Sequence, residues 1–469
     1  MPYLGTMFLF KPFSKYSPHD INDMANDYAH EYGDIFKMRF GKNHMVYVNH
    51  PDYAKTVLQA NYEQHNRICL DLTLVCSDRL NKPKGMLMLK GNEWVQRRKP
   101  AQEKLLRPAV AASYVPLIEK VTNDLVKKLN DNPVTDDLLW TMTNYAIESV
   151  GMLCFNRRLG CLESGRDSSN EIADFLREAF DLVQRSMFMP FKTFIYFRTP
   201  FYKRYEGEIT KFYDFVGKEI VAQRQKLKQF EREGILEEYL EKEPNFMYSL
   251  LADGRLSDDE VNAIISDLIG AGIDSTANTL VFLLAKLALN PEKQAALYEE
   301  IQRIVGESKV LSKEHIAQMS YLKACLKESH RMTFPVSFGA IRLPESDLVV
   351  GGYTIPRDTH IAINNRSMCM DERFFSKPKE FLPERWLRST TGDLAKSKEF
   401  PFAHKPFGYG PRSCLGQRFA ETEIFIGITK IIQKFDVSMP SNITDLKTTL
   451  RIFTTPADTV QMTFTKRNQ

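Results

Sequence analysis

The sequence predicts a mainly α fold with a small β-rich region, formed by one domain over residues 1–469. Three observations predict it. From about Glu93 to Asn290, apolar residues recur with the 3.6-residue period of helices packed on a core. Strand-like runs are short and lie towards the ends: Asp34 to Phe40, His44 to Val48 and Leu348 to Ile363. No linker or internal repeat divides the chain.

The front strands stop at Asn49-His50-Pro51, where proline withdraws a ladder donor. The helical stretch breaks near Asn130 to Asp136, Ser164 to Asn170 and Glu241 to Asn245. Pro100 falls inside a helix and is expected to kink it. The longest helix opens on a capping box, with Ser257 as N-cap and Glu260 three places on. It runs to Asn290-Pro291, about 34 residues and roughly 50 Å. Gly270, Gly272, Asp274, Ser275 and Thr276 interrupt its apolar middle. Leu348 to Ile363 reads as a hairpin turning at Gly351-Gly352. Met368 to Pro411 is irregular, and a loop of that length in a compact fold is usually functional. A last helix is expected from Cys414 to Lys434.

The formal net charge of +4 points to neither nucleic acid nor an acidic polymer as ligand. Seven cysteines are scattered without a CxxC, which suits a reducing compartment and excludes a zinc ribbon. No run reaches the ~18 consecutive apolar residues of a spanning helix. The first ten residues, MPYLGTMFLF, are neither a signal nor a transit peptide. The expectation is a soluble or peripheral protein, or one whose targeting segment lies outside this chain.

Chemistry concentrates in Phe407 to Gly416, FGYGPRSCLG. Three glycines let the backbone turn tightly against a flat ligand. A thiolate facing a metal needs N–H donors around its sulfur, and the start of a helix adds a positive dipole end. Arg412 stands ready for an anionic group.

This segment resembles the haem-binding loop of the cytochrome P450 family, FxxGxRxCxG. The resemblance implies haem b (iron protoporphyrin IX), with Cys414 as iron ligand and Phe407 and Gly416 beside the cofactor. A thiolate ligand favours O–O cleavage. Glu328-Ser329-His330-Arg331 is the family's ExxR, and Pro383-Glu384-Arg385-Trp386 resembles its PERW. Together they imply a buried Glu328–Arg331–Arg385 network. Trp94 to Arg98 resembles WxxxR, implying that Trp94 and Arg98 hold a haem propionate; Arg342 resembles another propionate partner. Ala271 to Thr276, AGIDST, resembles the oxygen-activation motif AGxDTT. Ala271 and Gly272 would leave room for dioxygen. Asp274 and a hydroxyl, from Ser275 or Thr276, would relay protons. Serine at 275 departs from the usual threonine and loses the methyl that fixes its rotamer.

Several segments resemble the mitochondrial branch: Glu103 to Pro108, Asn144 to Leu162, and Lys323 with Lys327 four residues apart on one helix face. In that branch the lysine pair docks an acidic, adrenodoxin-like [2Fe–2S] ferredoxin fed by an NADPH-dependent reductase. Arg418 adds positive charge, while Gln417 stands where the branch often has a basic residue. Met187 to Tyr202 is dense in aromatics and would cover the substrate entrance, dipping into a membrane surface or packing on the core. The resemblance implies a monooxygenase acting with O2 on a lipophilic substrate such as a sterol, secosteroid or ecdysteroid precursor, peripheral on the matrix side of the mitochondrial inner membrane. The alternatives are a detoxifying monooxygenase of the same branch, a haem-thiolate isomerase, and a non-catalytic haem protein.

Overall fold

The computed structural model describes residues 10, 14–40, 43–60, 70–106, 110, 113–163, 171–187, 189, 191–242, 246–306, 310–336 and 341–467. The expected break at 164–170, the end of the Glu103 to Pro108 segment and Cys69 lie outside them. In chain order the helices are α1 (Ile21–Tyr32), α2 (Pro51–Gln59), α3 (Asp71–Leu80), α4 (Gly91–Leu105), α5 (Val115–Asp131), α6 (Leu138–Phe155), α7 (Glu171–Met187) and α8 (Pro200–Glu233). Then come α9 (Leu236–Lys242), α10 (Phe246–Asp253), α11 (Asp258–Ala288), α12 (Pro291–Val305), α13 (Lys313–Gln318), α14 (Ser320–Met332), α15 (Asn365–Cys369) and α16 (Gln417–Lys434).

The strands are β1 (Ile35–Phe40), β2 (Asn43–Val48), β3 (Val134–Thr135), β4 (Leu348–Val350), β5 (Tyr353–Ile355), β6 (His360–Ile363), β7 (Phe435–Ser438), β8 (Thr448–Arg451), β9 (Phe453–Pro456) and β10 (Met462–Lys466). They form two three-stranded sheets, β1-β2-β6 and β3-β10-β7, and the hairpins β4-β5 and β8-β9. The mainly α expectation holds.

Helix α11 is the axis of the core. Ser257 Oγ accepts the Glu260 N–H at 3.3 Å and Glu260 Oε2 accepts the Ser257 N–H at 2.9 Å, closing the expected capping box. The helix is long and apolar enough to cross a membrane, but 72% of its apolar window is buried inside the fold. It packs chiefly on α6. Within α6, the buried Glu148 accepts Arg158 Nε at 2.6 Å and the Leu159 N–H at 3.1 Å from the chain just past the helix.

Three expectations change. The Gly351-Gly352 hairpin spans only β4 and β5; Pro356 and the turn at Asp358 (φ 61°) redirect the chain. Strand β6 therefore pairs parallel with β2, Met45 opposite His360. The last helix begins at Gln417 rather than Cys414, because the Cys414 N–H is spent on the Phe407 carbonyl at 2.8 Å. Pro100 lies within α4, which continues unbroken to Leu105.

Candidate haem site

The loop 407–416 is a sequence of turns. The Gly408 N–H bonds Lys405 O, the Ser413 N–H bonds Gly410 O, and the Cys414 N–H closes onto Phe407 O. Gly408 and Gly410 have φ of 74° and 75°, a region open to glycine at little cost. The outcome is an exposed Cys414 thiol just ahead of α16. Cys76, Cys154, Cys161, Cys325 and Cys369 are all buried, so Cys414 is the accessible thiol among the described residues. Burial pushes Cys76 up to about 11 and Cys369 to about 12, which keeps both as inert thiols.

Three buried guanidinium groups surround this loop. Arg98 Nη2 donates to Ser413 O at 2.9 Å and its Nε to Gln102 Oε1 at 3.1 Å. Burial lowers the Arg98 pKa, and Cys414 opposes that shift. Arg342 Nη2 donates to Tyr409 O at 3.3 Å. Arg412 Nη1 donates to Met86 O at 3.1 Å, and its guanidinium carbon lies 4.1 Å from the centre of the buried Trp94 ring. One exposed soft donor beside three buried cations is a donor set for a metal held in a dianionic organic ligand, and haem with its two propionates fits it.

Behind the loop, Glu328, Arg331 and Arg385 are fully buried. Glu328 accepts Arg331 Nε and Nη2 at 3.0 and 2.9 Å, Arg385 Nε at 3.0 Å and the Leu382 N–H at 3.0 Å. It also accepts Trp386 Nε1 at 2.8 Å. The sequence reading gave Trp386 no role, although an indole N–H beside a buried acid is a signal that could have assigned one.

On α11, Ala271 and Ser275 share one side and are both part-exposed. Ser275 Oγ donates to Ala271 O at 2.6 Å, which leaves its lone pairs facing outward. Thr279 Oγ1 donates to Ser275 O at 2.8 Å and meets His330 Nε2 at 3.4 Å. Gly272 and Thr276 lie on another side. A Cβ on residue 272 would meet Val150 Cγ2 of α6 at 3.3 Å, and Thr276 is 2% exposed. The missing side chain of Gly272 thus lets α11 pack closely on α6, and Thr276 does not share the Ala271–Ser275 side.

Asp274 lines a cavity of about 40 Å³ with Arg177, Asp181, Asn278 and Arg451. Burial pushes its carboxyl up to about 6, against the pull of Arg177 and Arg451. A raised carboxylate pKa means that ionisation opposes folding, so this stability cost appears as pH climbs from about 4 to about 6. Asp274→Asn is therefore expected to be more stable than the parent by about 1–3 kcal/mol at pH 7.5. The two should melt alike near pH 4; thermal melts at both pH values check this.

Lys323, Lys327 and Arg418 come together around Glu421, which interacts electrostatically with all three. Gln417 Nε2 donates to Glu421 Oε1 at 3.1 Å, so the glutamine that departs from the branch pattern holds an acid in the middle of the basic patch. The sequence reading missed Glu421. In the aromatic segment Phe191, Tyr196 and Phe197 are 77%, 80% and 69% exposed, whereas Phe194 is buried at 1%.

Fold and site together define a helical oxidoreductase built around a thiolate-ligated haem. The chain belongs to the cytochrome P450 family, whose sequence profile matches residues 1–464. It is 28% identical over 461 residues to cytochrome P450 27C1 of Danio rerio, covering 95% of this chain and 83% of that protein. It is 28% identical over 480 residues to the mitochondrial sterol 26-hydroxylase of Homo sapiens, covering 100% and 88%. To the mitochondrial 1,25-dihydroxyvitamin D(3) 24-hydroxylase of Rattus norvegicus it is 27% identical over 453 residues, covering 94% and 83%. It is a P450 monooxygenase with haem b as cofactor, and it works with O2 and a redox partner on a lipophilic substrate.

Proposed function

We propose that this enzyme hydroxylates a sterol or secosteroid at an unactivated C–H bond, inside mitochondria, with electrons from a [2Fe–2S] ferredoxin and its NADPH-dependent reductase. The observation that carries the ferredoxin reading is that Lys323, Lys327 and Arg418 all act on Glu421, in the first turns of the helix that follows the Cys414 loop. The substrate class rests on the hydroxylases named above.

Haem, when bound, supplies dioxygen activation, in which one oxygen atom enters the C–H bond and the other leaves as water. Cys414 would be its iron ligand. Arg98, Arg342 and Arg412 would hold the propionates, with Trp94 backing Arg412. Phe407, Gly416 and Ala271 would line its pocket. Asp274 rebinds a proton close to neutral pH and hands it to the Ser275 side of α11, where the serine hydroxyl is free to accept a hydrogen bond. An optical titration with a sterol and secosteroid panel tests the substrate class. A saturable low-spin to high-spin Soret shift supports it, and no shift from any member, with a normal carbon monoxide spectrum, moves the substrate to another lipophilic class.

A basic patch steers an acidic partner mainly through the association rate. Glu421→Gln removes the negative charge at its centre. Reduction by an acidic ferredoxin is expected to speed up about two- to tenfold at low ionic strength, with the gain disappearing in high salt. Stopped-flow reduction across a salt series measures it.

The exposed aromatics between α7 and α8 form the membrane contact, on the matrix side of the inner membrane. Phe191→Ser with Phe197→Ser is expected to weaken liposome sedimentation several-fold without lowering the melting temperature. Phe194 is core, so changing it would instead destabilise the fold.

A further inference from the structure

Asp267 lies four residues before Ala271 and eight before Ser275, on the side of α11 that they share. A carboxylate there needs a reason, because burial raises its free energy unless donors meet it. The donors come from a turn 180 residues earlier in the chain. Asp267 Oδ2 accepts the Leu87 N–H at 3.3 Å, and the neighbouring Met86 N–H also favours the charged carboxylate. The turn is closed by the Met88 N–H on Gly85 O at 3.0 Å. Two successive N–H groups aimed at one anion make a small cradle. Gly85 is what permits the approach, since a Cβ on residue 85 would lie 2.2 Å from Asp267 Oδ1.

The other edge of the same turn faces the cysteine loop. Arg412 donates through Nη1 to Met86 O at 3.1 Å and through Nη2 to Leu89 O at 2.5 Å. Arg97 bonds Lys84 O and also Glu260 Oε1, a second tie between the start of the turn and α11. The turn is thus strung between an anion on α11 and a cation on the Cys414 loop, with its N–H groups towards the first and its carbonyls towards the second.

We propose that Asp267 is a positioning residue: by holding the 85–89 turn, it fixes where Arg412 presents its guanidinium to the edge of the haem. This rests on the reading above that Arg412 meets a propionate. Without Asp267 the turn keeps only the Arg97 tie at its start, and the Met86 and Leu89 carbonyls that Arg412 bonds lose their support from α11.

The test uses the haem-loaded full chain and four variants. Asp267→Asn sets an amide N–H2 against the turn's own N–H groups. Gly85→Ala leaves Asp267 in place but forces its carboxylate away. Both are expected to speed amide exchange of the peptide spanning 84–89 at least tenfold. Both should also speed haem loss to apomyoglobin about tenfold and shift the resonance Raman propionate bending band. The long-wavelength Soret band of the ferrous–CO form should stay put. Arg97→Gln, which frees the Lys84 carbonyl and Glu260 but leaves the Asp267 cradle and both Arg412 bonds in place, should leave the propionate band unmoved. Arg412→Lys separates the two readings. A band moved by Arg412→Lys but by neither Asp267→Asn nor Gly85→Ala overturns the positioning role alone. A band that Arg412→Lys leaves unmoved overturns the propionate reading and the role built on it.

Discussion

Glu328→Gln is expected to yield no stable, haem-loaded protein. One carboxylate, fully buried, accepts five N–H groups: two from Arg331 and one each from Arg385, Trp386 and the Leu382 backbone. Glutamine keeps a single oxygen and turns an N–H2 towards groups that can only donate. It also removes the one negative charge between two buried guanidinium groups, both 0% exposed. Breaking a buried pair from one side costs about 3–5 kcal/mol, because the remaining charge has neither water nor a counterion. A typical fold has about 5–15 kcal/mol in reserve. The arginines also hold other chain segments: Arg331 donates to Cys369 O at 2.8 Å and Arg385 to Ser376 O at 3.0 Å. Loss of Glu328 therefore loosens the irregular stretch that leads into the cysteine loop. Soluble yield, haem-to-protein ratio and thermal melting are the measurements. A variant that melts like the parent with full haem would show that the network is dispensable.

How much of this was legible in the sequence depends on how far each interaction reaches along the chain. The capping box of α11 and the turns of the cysteine loop are local, so spacing alone specified them. The Glu328–Arg331 pair is three residues long, and Arg385 followed from a motif. The orientation of Thr276 was also readable in principle, because one step along a helix turns a side chain by 100° and Ser275 already occupied the Ala271 side. What the sequence could not show is where distant segments meet. Gly85 against Asp267, Gly272 against Val150 and Glu421 among three cations join residues from separate elements. Burial within the aromatic segment is a similar case. Phe194 and Phe197 look alike in sequence, yet one fills the core and the other faces solvent. Strand β6 reads as the return arm of a hairpin, and only the fold reveals β2 as its neighbour.

Cys414→Ser is expected to leave the fold intact and remove the chemistry, the opposite of what Glu328→Gln does. The side chain at 414 is exposed, and the local structure depends on its backbone N–H, which bonds Phe407 O. Serine preserves that bond, so the stability of the haem-free chain should stay within the usual range of about ±0.5 kcal/mol for a surface change, with its melting temperature nearly unmoved. On the propionate reading proposed above, the arginines and Trp94 are unchanged, so haem should still associate, more loosely. The soft, electron-rich sulfur is lost. A hydroxyl oxygen is a poor substitute, because the thiolate's electron donation is what favours O–O cleavage. The long-wavelength Soret band of the ferrous–CO form should vanish, and turnover should fall at least about a thousandfold, roughly 4 kcal/mol of barrier. Cys76, Cys154, Cys161, Cys325 and Cys369 are buried and cannot stand in without unfolding part of the core. A ferrous–CO band unchanged in Cys414→Ser would remove Cys414 as the iron ligand. A lost band with an unchanged melt would show that loop geometry and ligand chemistry are separable here, because the backbone of residue 414 builds the turn and its side chain alone reaches the metal.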